Sequence, residues 1–335
     1  MARKIIFLLA IIFLLPCAAL AGHMERKQAA ELTDFQFVQV SKKNRQQIGS
    51  WLPGKAPGDV ITDLFHAGKL KDPYVDFNSR DALWVNDYDW LYQTRFDADL
   101  KDNDRFWILF HGIDYQSQGF INGKKVFDHT GMFSCVLVDA TPFLKKGAPN
   151  ELAVKLIGLK NRAHAKNYQL DQFLEQLKRR KVTKTQMSFG WDIAVELINA
   201  GLWDQVEMFK TGPVMIADLG IHTQNNGDLS LDVSLDSSKS AKVFLKFTIT
   251  PENFGTKQPT LIREFPLELS PGRSTQKLKL KIDNPALWWV PELGAPNLYR
   301  MKAEVLVNEQ ASDSTEETFG FRSITWEQNP GASFR

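Results

Sequence analysis

Residues 229–235 have the sequence LSLDVSL, and this strict alternation of apolar and polar residues decides the fold class. A period of two is typical of a β-strand, because successive side chains point to opposite faces and only one face is buried. The same alternation recurs in residues 243–249, 277–282 and 301–307. These runs predict antiparallel strands that bury one face in a shared apolar core.

Turn signals separate the predicted strands. Asn226-Gly227 and Asn122-Gly123 favour tight hairpins, because both residue types tolerate positive φ. Pro271-Gly272 indicates a further turn. Residues 213–320 therefore predict a small antiparallel β-sandwich of about seven strands.

The region from residue 30 to residue 212 is also rich in predicted strands. Residues 106–110, 119–121 and 150–156 are apolar enough for a buried sheet. One amphipathic helix is predicted at residues 170–177, where apolar side chains recur at helical spacing. The basic run at 178–181 suits the C-terminus of that helix, with a site for an anionic ligand as the alternative. Gly212-Pro213 interrupts regular structure, so we place the domain boundary there.

Composition limits the classes of function. A chain of 335 residues is long enough for two domains. It has 41 Lys and Arg residues against 39 Asp and Glu residues, and Arg3 and Lys4 lie in the first 21 positions. Without them the balance is 41 − 2 = 39 against 39, so the remainder is neutral. Nucleic acid is therefore not an expected partner, since phosphate binding needs a basic surface.

The N-terminus has the pattern of a secretory signal peptide. Arg3 and Lys4 precede the apolar residues 5–15, and Ala19-Leu20-Ala21 fits a signal-peptidase site. We therefore expect residues 1–21 to be cleaved and the protein to be exported. The alternatives are an uncleaved membrane anchor and a lipid anchor at Cys17, although the preceding Pro16 is not the small residue that lipidation favours. The apolar run is too short for a stable membrane span, and no other run in the sequence is long enough.

Motifs for cofactor, metal or nucleophilic chemistry are missing from the sequence. Cys135 is the only cysteine beyond the predicted signal peptide, so no intramolecular disulfide is expected there. The sequence contains no Gly-rich phosphate loop, H-E-x-x-H, C-x-x-C or G-x-S-x-G, and the six histidines lack metal-ligand spacing. We expect neither a cofactor nor a bound metal.

An ordered set of motifs resembles glycoside hydrolase family 2, and its β-mannosidase branch most closely. The most specific motifs are SFGWD at 188–192 and AGLW at 200–203. The others, in chain order, are Trp51, PGDV at 57–60, TDL at 62–64, DPY at 72–74, WV at 84–85, DW at 89–90 with Tyr92, GIDY at 112–115, ING at 121–123, His129, GMF at 131–133, NP at 284–285, LWW at 287–289, PNLY at 296–299 and FGFR at 319–322.

The resemblance implies an all-β architecture that precedes a catalytic barrel. A jelly-roll, galactose-binding-like sandwich is expected at residues 30–212, and an immunoglobulin-like β-sandwich at 213–320. Residues 321–335 would be the start of a (β/α)₈ barrel, which needs about 250 residues. In the family both catalytic glutamates belong to the barrel, so no catalytic residue is predicted in this chain, and the missing barrel is its expected partner in catalysis.

Two Asn-Glu pairs have the composition of the family's acid/base motif without its context. Asn150-Glu151 follows a predicted turn and opens a predicted strand, and Asn308-Glu309 lies at a polar hairpin tip. We interpret both pairs as turn residues.

Trp191 and Asp192 are the candidate substrate-binding residues. In family β-mannosidases the corresponding loop helps to form the −1 sugar pocket, where an aromatic face packs on sugar C–H bonds and a carboxylate accepts hydrogen bonds from hydroxyls. The alternative is a tryptophan buried at a domain interface, with Asp192 as a local cap. Residues 193–196 are IAVE, where the family commonly has WGPR, so the ligand is a β-mannoside or a related glycoside.

Two functional hypotheses follow from the sequence. In the first, the chain is the N-terminal part of a secreted β-mannosidase-like hydrolase. In the second, it is a complete protein that binds sugars or partners without hydrolysis. Residues 319–326 resemble a segment that connects to a following domain, which favours the first hypothesis.

Overall fold

The computed structural model describes residues 30–159, 182–255 and 258–325, and only the backbone of Trp191. The predicted signal peptide at 1–21, the predicted helix at 170–177 and the basic run at 178–181 lie outside these residues, as do residues 326–335. No helix in the described ranges is long and apolar enough to cross a lipid bilayer.

The described chain divides into two compact units between Lys210 and Thr211. The first unit comprises residues 30–101 and 105–210, and the second takes in residues 102–104 together with the chain from 211 onward.

The first unit is a β-sandwich. Its strands are β1 (Ala30–Glu31), β2 (Asp34–Val40), β3 (Gln47–Lys55), β4 (Asp89–Phe96), β5 (Arg105–Phe110), β6 (Gln116–Ile121), β7 (Lys124–Thr130), β8 (Val136–Asp139), β9 (Asn150–Ile157), β10 (Phe189–Trp191), β11 (Ala194–Glu196) and β12 (Val206–Thr211). Helices α1 (Val60–His66) and α2 (Asn78–Asp81) and three 3₁₀ turns, Leu83–Asp87, Thr141–Phe143 and Gln186–Ser188, connect them.

Two antiparallel sheets form the layers of this sandwich. One has the order β3-β2-β4-β9-β6-β7 and the other has the order β1-β12-β5-β8. Aromatic side chains fill the space between them: Phe110 of β5 meets Phe127 of β7 at 5.3 Å between ring centroids. The core is therefore built from the inward positions of both sheets, as period-two strands require.

Helix α1 begins at a well-formed cap. The Asp59 carboxylate accepts hydrogen bonds from the backbone N–H groups of Ile61 and Thr62, at 2.9 and 3.1 Å. These bonds satisfy donors that have no partner within the helix. The cap directs Val60 and Leu64 into the core of the first unit.

The second unit is a sandwich of seven strands in the described chain, as the alternation predicts. They are β13 (Val214–Thr223), β14 (Asp228–Ser237), β15 (Ala241–Pro251), β16 (Leu261–Leu269), β17 (Gly272–Lys281), β18 (Tyr299–Val307) and β19 (Gln310–Phe319). One antiparallel sheet has the order β13-β14-β17 and the other the order β16-β15-β18-β19. The alternate apolar residues of β14 and β15 are all buried: Leu229, Leu231, Val233, Leu235, Val243, Leu245, Phe247 and Ile249.

The predicted turns occur where the sequence indicates them, but they do not all make hairpins. Asn226-Gly227 joins β13 to β14, and a Cβ at Gly227 would lie 1.9 Å from the Ile282 carbonyl oxygen. Pro271-Gly272 joins β16 to β17, which belong to different sheets, so it is a corner between layers. A local turn signal carries no information about which sheet the next strand joins.

Candidate functional site

Trp191 and Asp192 lie on a short hairpin formed by β10 and β11. Phe189 pairs with Glu196, and Trp191 pairs with Ala194. The connecting turn therefore has two residues, and Asp192 occupies its first position with a φ of +35°. Asp and Asn are among the few residue types, apart from Gly, that enter this region readily.

The tip of the hairpin projects into solvent. Ile193 is 95% exposed and Val195 is 40% exposed. Asp192 is also exposed, and no side-chain or backbone donor in the described ranges bonds to its carboxylate. The structure thus supplies no hydrogen bond for the local-cap interpretation of Asp192.

A buried ion pair lies at the base of the hairpin. The Lys184 ammonium donates to the Asp114 carboxylate, and their side chains are 0% and 3% exposed. Lys184 also donates to the Asn199 carbonyl oxygen at 3.0 Å. The Asp114 backbone exchanges hydrogen bonds of 2.8 and 2.9 Å with Gly201. The chain that enters the hairpin and the chain that leaves it are therefore both held to residue 114.

Burial and ionic attraction act in opposite directions on this pair. Loss of solvent raises the pKa of Asp114, and the adjacent Lys184 charge counteracts that rise. Loss of solvent likewise lowers the pKa of Lys184, and Asp114 opposes that shift. Each residue depends on the other to stay ionised, because a buried charge without a partner is strongly unfavourable.

Trp203 is a second anchor beside this pair. Its indole N–H donates to the Met132 carbonyl oxygen at 2.8 Å, and its ring meets Phe133 edge-on at 6.4 Å between centroids. A Cβ at Gly112 would lie 2.4 Å from the indole ring. Glycine at position 112 is what allows the ring to lie against this backbone.

His129 lies close to the same loop. Its Nε2 donates to the Gly131 carbonyl oxygen at 3.0 Å. Burial lowers the pKa of His129, which favours the neutral ring. His129 therefore supports the loop as a neutral donor.

The structure brings together motifs that are far apart in the sequence. The runs 112–115, 129–133 and 200–203 supply Asp114, Met132, Gly201 and Trp203 to the ion pair and the contacts beside it, and the run 188–192 forms the first strand of the hairpin. Lys184 belongs to none of these motifs, and sequence reasoning missed it. Lys184 lies in the sequence VTKT at 182–185, which has neither helical nor strand periodicity, and its partner Asp114 is 70 residues away.

Only one of the two Asn-Glu pairs lies in a turn: Asn150 and Glu151 are the first two residues of β9, where they pair with β4. The Asn150 amide oxygen accepts bonds of 2.8 Å from Asn122 and from the Lys145 backbone, so this side chain organises two loops. Asn308 and Glu309 form the two-residue turn between β18 and β19, with φ values of 49° and 65°.

Within the described ranges, no group of three or more His, Cys, Asp or Glu side chains is arranged to hold a metal ion. The hairpin itself places the exposed Asp192 carboxylate on a backbone that is anchored at its base.

Two family models match the chain. The model described as "Glycosyl hydrolase 2 galactose-binding domain-like" matches residues 35–204, and "Glycosyl hydrolases family 2" matches residues 214–322. The family resemblance drawn from the motifs is confirmed, as is the all-β fold class.

Known proteins with similar sequence or structure include β-mannosidases. Beta-mannosidase B of Aspergillus niger is 29% identical over 314 residues, which cover 87% of this chain and 36% of the relative. A crystal structure of β-D-mannosidase from Dictyoglomus thermophilum has a TM-score of 0.75 at 27% identity and covers 92% of this chain and 38% of that one.

An exo-chitosanase from Amycolatopsis orientalis has a TM-score of 0.67 at 18% identity, covering 90% of this chain and 34% of that one. At this identity the likeness concerns the fold alone. The chain spans about a third of the length of the curated relatives that it matches.

Proposed function

Because this chain belongs to glycosyl hydrolase family 2, we propose that it forms the N-terminal, non-catalytic region of a β-mannosidase-type hydrolase. The observation that carries the proposal is the ordered match of both family models, together with homology to the N-terminal part of β-mannosidases. The hydrolysis itself would belong to a (β/α)₈ barrel that follows these domains in the complete protein.

The chemistry of glycoside cleavage supports this division of labour. A retaining glycosidase needs an acid/base carboxyl and a nucleophilic carboxylate about 5–5.5 Å apart. The family carries both on the barrel. Asp192 is a single exposed carboxylate at a hairpin tip, which suits a residue that positions a sugar and not one that attacks it.

We assign substrate contact to the hairpin tip at Trp191 and Asp192. An exposed carboxylate without a protein donor is free to accept hydrogen bonds from sugar hydroxyls. The Lys184–Asp114 pair holds both ends of the hairpin, and the buried Asn86 amide adds a bond of 2.7 Å to the Ile198 carbonyl oxygen. A base held in this way limits the entropy that is lost when the tip binds.

The ligand in this proposal is a β-mannoside or a related glycoside. The sequence IAVE at 193–196 differs from the pattern common in the β-mannosidase branch, and these residues form the part of the hairpin that follows the tip. The proposal therefore names a class of glycoside and not a single sugar.

The function also implies export through the signal peptide at residues 1–21. N-terminal sequencing of secreted protein should give a start near Gly22. A lipid-modified Cys17 at the N-terminus would show anchoring instead, and an intact Met1 on exported protein would contradict cleavage.

A chimera tests the functional assignment. The first two domains of the Dictyoglomus thermophilum β-D-mannosidase are replaced by residues 22–325 of this chain, and a chromogenic β-mannoside is the substrate. The full chain alone should show no turnover above background, and the chimera should show turnover. Asp192→Ala in the chimera should lower kcat/KM at least about tenfold, the effect of about 1.4 kcal/mol of lost transition-state binding.

Glu309→Ala is the matched control, because Glu309 is also an exposed acidic residue in a two-residue hairpin turn. This variant should leave kcat/KM unchanged. Turnover by the chain alone, abolished by Asp192→Ala, would contradict the division of labour. A folded chimera without turnover would favour the alternative of a binding protein without hydrolysis.

A further inference from the structure

A cleft of about 710 Å³ lies on the outer face of the six-stranded sheet, over β2, β3 and β4. Its volume falls within the range of about 300–1,000 Å³ that is usual for ligand sites. It shares no residue with the hairpin. The cleft is lined by Asp34, Phe35, Gln36, Trp51, Leu52, Pro53, Gln93, Thr94 and Arg95.

Strand register places two amide side chains next to each other in this cleft. Gln36 of β2 lies directly opposite Gln93 of β4. The adjacent Phe37 and Tyr92 point into the core, where their rings stack at 5.3 Å between centroids. The alternation of strand side chains therefore directs both glutamines outward, with Cβ atoms about 5 Å apart.

The polar groups of the cleft are not used by the protein. In the part of the chain that the structure describes, the side chains of Gln36, Gln93 and Arg95 have no hydrogen-bond or ion-pair partner. The Asp34 carboxylate is paired with Lys55. The cleft thus presents two unpaired amide side chains and the unpaired Arg95 guanidinium.

Trp51 supplies an apolar wall. It lies on β3, it is half-buried, and the hairpin function leaves this motif residue without a role. An indole face packs well on the C–H faces of a pyranose ring, and neighbouring amides donate to and accept from its hydroxyls.

We propose that this cleft binds a neutral oligosaccharide, with one pyranose ring against Trp51 and its hydroxyls bonded to Gln36 and Gln93. β2 and β4 each pair on both sides, so the backbone beneath the cleft is already hydrogen-bonded and the side chains must hold the ligand. The inference rests on the residues that line the cleft and does not depend on the proposed function.

Titration of the full chain with three β-1,4-linked tetrasaccharides, of mannose, of glucose and of N-acetylglucosamine, tests the proposal. Isothermal calorimetry should detect millimolar or tighter binding of at least one of them. Trp51→Ala should weaken that binding about tenfold or more. The double variant Gln36→Ala/Gln93→Ala keeps the core intact and should weaken binding by a similar factor, even where Trp51→Ala fails to fold.

Gln116→Ala is the matched control, since Gln116 is an exposed glutamine of the same sheet outside the cleft. It should bind as the wild type does. Absence of binding for all three sugars would overturn the proposal. Binding that survives both cleft variants but is lost in Asp192→Ala would also overturn it, and would place the sugar at the hairpin in agreement with the proposed function.

Discussion

The two β-sandwiches follow the same alternation of strand residues but bury different kinds of polar groups. In the second unit, buried polar side chains of β19 bond to the backbone of β13: Ser312 to Val214, and Asp313 to Ile216 at 2.8 Å. In the first unit, buried ionisable side chains bond to one another. Lys184 pairs with Asp114, and the Tyr92 hydroxyl donates to Asp63 at 2.6 Å.

The difference indicates what each unit needs. In the second unit, the bonds from Ser312 and Asp313 to the backbone of β13 join strands of its two sheets. The first unit must also hold a hairpin that projects from it, and its buried groups connect distant loops. We therefore expect charge changes and pH to act mainly on the first unit.

The strongest test of this comparison is removal of one member of the buried pair. Lys184→Met should destabilise the first unit by about 3–5 kcal/mol, because Asp114 is left as a buried charge without a partner. Urea unfolding monitored by tryptophan fluorescence measures the free-energy change, with each unit treated as its own transition.

The double variant Lys184→Met/Asp114→Leu provides the control. This variant removes both charges and leaves no buried charge without a partner. It should therefore lower the free energy of unfolding by less than Lys184→Met does. Lys242→Met, which breaks an exposed ion pair with Glu268 in the second unit, should have no measurable effect. An equal response to Lys184→Met and Lys242→Met would remove the contrast between the units.

The second test uses pH. Burial raises the pKa of Asp63 from 3.8 to about 6, although the Tyr92 hydroxyl and the Lys55 backbone N–H oppose the shift. The folded state therefore holds this proton more tightly than the unfolded state. The associated stability is fully present below about pH 4 and is lost as pH rises to about 6. The loss is about 2–3 kcal/mol.

Asp63→Asn should remove this pH dependence, because the amide does not titrate and still accepts the Tyr92 hydrogen bond. Unfolding free energies of wild type and variant at pH 4 and pH 7 measure the effect. Leu245→Ala in the second unit is the comparison. The cavity that it leaves should lower the free energy of unfolding by about 2–5 kcal/mol, and the decrease should be the same at both pH values. If the unfolding free energy of Asp63→Asn still fell between pH 4 and pH 7 as it does in the wild type, the pH dependence would not come from Asp63.

Much of the fold is predictable because strand alternation is a local property. The pattern LSLDVSL at 229–235 identifies a buried face whatever its partners are, and Asn226-Gly227 identifies the hairpin before it. The pairing of strands into sheets depends on the whole chain. For that reason Pro271-Gly272 indicates a turn but does not reveal that the chain changes sheets there.

The support of the candidate site is not local. Asp192 can be selected from the motif SFGWD, and the structure adds its exposed position at a turn. Nothing near Lys184 in the sequence indicates that this lysine is buried, since burial depends on Asp114, 70 residues away. The cleft at Trp51 is equally non-local, because its two glutamines become neighbours only through the pairing of β2 with β4.

The smallest expected effect concerns the loop that Trp203 supports, and it compares one substitution in the two units. Gly112→Ala places a Cβ 2.4 Å from the Trp203 indole, so the ring must move away from the Met132 carbonyl oxygen. We expect the free energy of unfolding to fall by about 1–2 kcal/mol, since Trp203 is only partly buried and its ring has room to shift. The indole N–H resonance of Trp203 should move as its hydrogen bond lengthens.

Gly220→Ala on β13 adds a Cβ that meets nothing closer than 3.5 Å and should be tolerated. A Gly112→Ala protein with unchanged stability and an unmoved Trp203 resonance would show that this loop adapts as easily as the β13 surface does.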